Sequence, residues 1–113
     1  MTLKLLSAPD LTITSATGTG NIATTTVLHR AFRLKYVSCK FSTGTSNAVT
    51  VTLDTLAGAA YDVVLRSIAT ATTTSLVWIP DDPVDCVKGD EIAVAWANDA
   101  AYEYGLEIVT EDI

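Results

Sequence analysis

The sequence predicts an all-β fold, an antiparallel β-sandwich of about eight short strands. Three observations predict it. Apolar and polar residues alternate over short runs, as in Ala48–Leu53, whereas no stretch shows the 3.6-residue period of an amphipathic helix. The runs recur roughly every ten residues, separated by turn-forming residues, which is the spacing of sandwiches and related barrels. The chain is also rich in threonine, which favours strands and suits their solvent-facing positions.

In chain order, residues 1–10 are weakly periodic and end in Pro9-Asp10, an N-terminal arm or short edge strand preceding a single sandwich domain over residues 11–113. Leu11–Thr14 alternates briefly, and Ser15–Asn21 (SATGTGN) is expected to be a flexible loop. Thr24–His29 is β-branched and is expected to be a strand. Phe32–Ser42 is the longest candidate. Its apolar residues occupy even positions at Phe32, Leu34 and Tyr36, then odd positions at Val37, Cys39 and Phe41. Such a change of phase calls for a β-bulge or bend near Tyr36-Val37, or for a strand buried on both sides. Ala48–Leu53 then places Val49, Val51 and Leu53 inward. After a turn at Leu56–Ala60, Tyr61, Val63 and Leu65 form the next inward row, and Ser67–Thr73 is expected to be a loop.

The longest composed stretch is Thr74–Asn98. It holds two apolar runs, Leu76–Ile79 and Ile92–Trp96, each with one of the two tryptophans. Between them lies PDDPVDCVKGDE, where Pro80 and Pro83 end the first run and Gly89-Asp90 signals a turn before the second. Ile92, Val94 and Trp96 face one way; Ala93, Ala95 and Ala97 face the other. A strand with bulk on one side and methyl groups on the other admits a close neighbour, either another element of the same chain or a second subunit. Finally, Tyr102, Tyr104, Leu106 and Ile108 share one face of a last strand and Glu103 and Glu107 the other.

Composition narrows the function. With 113 residues, 49% hydrophobic, the chain can bury a core without a metal or disulfide framework. Only 18% of residues are charged, which hints at surface covered by a partner. The net charge of −6 and the scattering of the seven Lys and Arg argue against nucleic acid and anionic membranes as partners. The start, MTLKLLSAPD, has too short an apolar run for a signal peptide, so synthesis and retention in a cytoplasm are expected. Cys39 and Cys86 are expected to be buried thiols, with a single bridge as the alternative.

Chemistry finds little support. One histidine, His29, and no C-x-x-C pair leave no zinc set, so no metal and no cofactor is expected. Asp81, Asp82, Asp85, Asp90 and Glu91 lack EF-hand spacing and are read as a solvated loop, with calcium as the alternative. Glu103 and Glu107, four residues apart on one strand face, would stand about 13 Å apart, too far for a glycosidase pair. There is no G-x-S-x-G and no phosphate-binding glycine loop. No catalytic residue is assigned, and an enzyme is not expected.

The pattern Ser75-Leu-Val-Trp-Ile-Pro80, an acidic crossing, then Lys88-Gly-Asp-Glu-Ile-Ala-Val-Ala-Trp96 resembles the penultimate strands of small jelly-roll proteins. Together with the threonine and alanine content, it is similar to the capsid-decoration (cement) proteins of tailed bacteriophages. The resemblance covers about the C-terminal half. It implies a virion structural protein, a homotrimer or other homo-oligomer that clamps the major capsid protein or other virion proteins. Interface candidates are Leu3, Leu5 and Leu6 in the arm, and Ala93, Ala95 and Ala97 on the strand; residues 15–21 are a second candidate arm. Two other classes share these features: a carbohydrate- or receptor-binding sandwich, with Tyr61, Tyr102 or Tyr104 as stacking candidates, and a phage tail or baseplate component.

Overall fold

A computed structural model describes residues 10–43, 47–71 and 73–113. Nine strands run β1 Leu11–Gly18, β2 Ile22–Thr25, β3 Phe32–Phe41, β4 Ala48–Asp54, β5 Val63–Ala69, β6 Ser75–Trp78, β7 Val84–Cys86, β8 Glu91–Trp96 and β9 Tyr104–Asp112, with one 3-10 turn at Ala59–Tyr61. They form two antiparallel sheets. The larger has the order β1-β9-β3-β6, with β7 also pairing β3; the smaller has the order β2-β8-β4-β5. Consecutive strands cross from one sheet to the other, β1 to β2, β3 to β4 and β5 to β6, which is the wrapping of a jelly roll.

Alternation builds the core. Phe32, Leu34, Val37, Cys39 and Phe41 of β3, Leu106 and Ile108 of β9, Val49 and Val51 of β4, and Ile92, Val94 and Trp96 of β8 are buried between the sheets. Trp96 is central: its ring lies 4.4 Å from Phe41 and 6.5 Å, edge-on, from Tyr104. Among the described residues its indole N–H has no partner.

The phase change in β3 is a bulge. Leu34 opposes Thr110 and Tyr36 opposes Val109, so Lys35 is an extra residue with no counterpart on β9. Its insertion puts Phe32 and Leu34 on the same face as Val37, Cys39 and Phe41.

Several boundaries differ from the sequence reading. Ser15–Gly18 is not a free loop: β1 continues to Gly18, paired residue by residue with β9 down to Tyr104. The strand expected at Thr24–His29 covers Ile22–Thr25, extended by Thr26, whose N–H and hydroxyl both bond the backbone of Ile92. Tyr61 is not in an inward row; it ends the 3-10 turn and is exposed. β5 reaches Ala69, into the expected loop, and the last strand begins at Tyr104 rather than Tyr102. The acidic crossing holds a short strand, β7, anchored where Arg33 donates two bonds to Asp85 at 2.6 and 3.1 Å.

Both described termini lie at one end of the sandwich, here called the terminal end. There β1, β3, β5 and β8 begin, and β2, β4, β6, β7 and β9 finish. Among the described residues, the opposite, distal end carries the connecting residues 19–21, 42–43, 47, 70–71, 73–74 and 97–103. Asn98 ties two of these together. Its amide donates to the carbonyls of Thr19, Gly20 and Tyr102 at 3.1, 3.0 and 2.7 Å, and its oxygen accepts from the Tyr102 N–H.

Candidate interaction surfaces

The outer face of the smaller sheet follows from its register, because directly opposed residues point the same way. One row crosses all four strands as Ala23, Ala95, Thr50 and Ser67; the next crosses as Thr25, Ala93, Thr52 and Val64. Ala95 and Ala97 are exposed and Ala93 half-buried, so among the described residues the alanine row stays open to solvent. Apart from Val64 at the edge, these two rows hold only alanine, serine and threonine. A shallow concavity of about 350 Å³ lies over Ala23, Thr50, Ala95 and Ala97. Charge begins only at the border, with Asp54 opposite Glu91 at the terminal end.

Such a surface suits contact rather than chemistry. Alanine has no side-chain entropy to lose on burial and threonine little, and short side chains let a second backbone approach closely. Alternation, which drives the bulky residues of β8 inward, leaves the alanines outward. The sequence showed Ala93, Ala95 and Ala97; it did not show Ala23, Thr25 and Thr50 beside them, because strand order cannot be read from a single strand's pattern.

The outer face of the larger sheet differs. Near the terminal end, Lys35 lies 3.5 Å and Arg33 3.9 Å from the carboxylate of Glu111, while Arg33 also pairs with Asp85 and Arg30 with Asp112. The Arg33 guanidinium, through its hydrogen bond first and its charge second, holds the Asp85 carboxyl below the usual carboxylate range. These pairs tie β3 to β7 and β9.

The remaining candidates are dispersed. Leu3, Leu5 and Leu6 lie outside the described residues. The carboxylate of Asp90, nearly buried, accepts the backbone N–H groups of Leu56 and Val87 at 3.0 and 3.1 Å, closing the Val87–Asp90 turn. Among the described residues no three His, Cys, Asp or Glu side chains gather as a metal set. Tyr61 sits at the terminal end, while Tyr102 and Tyr104 are half-buried at the distal end, so the three tyrosines form no common platform.

Both cysteines are free and buried. Cys86 opposes Phe32, and Cys39 lies seven residues farther along β3, roughly 20 Å away at strand rise. Desolvation pushes the Cys39 thiol up to about 12 and that of Cys86 up to about 11, which keeps both protonated and inert.

No family model, curated protein or solved structure matches the chain.

Proposed function

We propose that this protein is a non-enzymatic structural component of a virion, which decorates a phage capsid by laying a flat, uncharged sheet face on its subunits. The observation that carries this reading is the outward row Ala23, Ala95, Thr50 and Ser67, with Thr50 half-buried and the other three exposed, on one sheet of the jelly roll. Contact through it costs little side-chain order and strands no buried charge. The resemblance carried by Ser75–Pro80 and Lys88–Trp96 supports the same role. The arm residues Leu3, Leu5 and Leu6 add apolar contacts to neighbouring subunits.

The test is to band particles from cells producing the protein on a density gradient and probe the fractions for the chain. Co-migration with capsids is expected. Recovery only among free proteins at the top of the gradient would overturn the proposal.

A further inference from the structure

Most edge strands of the two sheets are guarded. β2, β6 and β7 are only three or four residues long, and β5 carries Arg66 and a register shift against β4. Short length, charge and irregularity are the ways in which sheets blunt an open edge. β1 has none of them. It runs eight residues, Leu11–Gly18, without charge, proline or register shift, and among the described residues it pairs with β9 alone.

The phase of that pairing shows what the open edge offers. The Asp112 N–H donates to the Asp10 carbonyl at 3.0 Å. These two residues face each other one step beyond the Leu11–Glu111 pair, so the bonded pairs of the ladder fall at residues 12, 14, 16 and 18 of β1. The N–H and C=O groups of Leu11, Ile13, Ser15 and Thr17 therefore point away from β9, along the open edge. Their side chains are exposed on the outer face, Leu11 by 57% and Ile13 by 59%. Ile13 also begins an apolar row, which continues through Val109 of β9, only 2% exposed, to Tyr36 of β3.

We infer that the open edge of β1 is a strand-addition site, which takes an extended, non-acidic segment of another protein as a further strand of the larger sheet. The backbone selects the class of ligand. Donors and acceptors alternating over about 20 Å are complemented by the backbone of another extended strand. The side chains select its sequence. Leu11 and Ile13 ask for apolar residues opposite them, whereas Ser15 and Thr17 ask for small or hydroxyl-bearing ones. Glu107 and Glu111, two residues either side of Val109, disfavour an acidic segment. A second copy's β1 is a poor fit. Two β1 strands paired antiparallel over their full length set Leu11 against Thr17 and Ile13 against Ser15, apolar against hydroxyl at every outward pair. Strand addition uses the sheet opposite the alanine row, so it is independent of capsid decoration.

A capped peptide, Lys-Ser-Thr-Ser-Thr-Val-Thr-Val-Lys, tests this, because in antiparallel register its valines face Ile13 and Leu11. Hydrogen exchange followed by NMR reads the site directly. The amides of Leu11, Ile13, Ser15 and Thr17 are expected to exchange freely in the protein alone, and about tenfold or more slowly with saturating peptide. The same peptide N-methylated at its second serine and first valine keeps its side chains and charge but loses two donors facing β1, and is expected not to bind. Ser15→Pro removes one outward donor and no bond to β9. It is expected to weaken binding about tenfold while the β9 amides keep their protection. Absence of saturable protection overturns the inference, as does equal protection by the N-methylated peptide. Undiminished binding by a Ser15→Pro protein whose β9 amides stay protected overturns it too; where that variant does not fold, the N-methylated peptide decides. Protection of the four amides in the protein alone, growing with its own concentration, would make a second copy the occupant and likewise overturn it.

Discussion

Single residues hold the loops in place, and Gly89 shows how closely one is fitted. Its φ is +98°, and a Cβ there would sit 2.7 Å from a methyl carbon of Leu56. Both terms oppose any side chain: the left-handed backbone costs an L-residue roughly 1 kcal/mol or more, and the contact displaces Leu56. Gly89→Ala is expected to destabilise the fold by about 1–3 kcal/mol, measured as a lowered urea midpoint at unchanged m; an unchanged midpoint would show that the Val87–Asp90 turn is not under this constraint. Asp85 gives a pH signature. Because Arg33 depresses its folded pKa, the pair's stabilisation is complete above the unfolded carboxyl pKa and is lost as pH falls through the folded one. Asp85→Asn should therefore lower the urea midpoint at neutral pH and converge with the wild type in acid below the carboxylate range. A deficit that persists in acid would assign the loss to packing instead.

At the scale of elements, the strand pattern was legible where one face is buried and the other wet. Ala48–Asp54 and Glu91–Trp96 alternate because each pairs on both sides within a sheet that has one core face. The phase change in β3 was legible for the same reason, and the structure resolves its alternatives into a bulge at Lys35. What failed were edges. β1 has Leu11 and Ile13 exposed and threonines half-buried, so its pairing with β9 leaves no apolar stripe, and Ser15–Gly18 looks like a loop. β7 is three residues long in an acidic, proline-bounded segment, and only the partner strand β3 defines it. Tyr61 follows a glycine-initiated turn whose geometry, not hydrophobicity, directs it outward. The alanine row was legible as a face, but its neighbours required the sheet order. Lys35 supplies a prediction at this scale. With it removed, Leu34 is followed by Tyr36 and Val37, and strict alternation keeps every core residue on its side. Deletion of Lys35 is expected to give a folded protein in the same register, at most about 1 kcal/mol less stable through the lost ion pair with Glu111. Amide exchange would report it; loss of protection in β9 would mean that the bulge is required for the sheet.

Over the whole molecule, two kinds of surface are kept apart. Small uncharged side chains cover the outer face of one sheet, and ion pairs bind β3, β7 and β9 on the other. The jelly-roll order produces this separation. It sends the bulky residues of β8 and β4 inward, leaves their short ones outward, and brings five strand ends and both termini to one pole. A surface of methyl and hydroxyl groups tolerates a broad flat contact but not a long charged side chain in its middle. Ala95→Arg places a guanidinium there, on a strand whose core face is unaltered, and burying it unpaired would cost several kcal/mol. The most direct measurement is therefore the density-gradient profile of Ala95→Arg beside the wild type. The account predicts a folded variant that leaves the capsid fractions while the wild type stays with them. A variant that bands with capsids as the wild type does would contradict it.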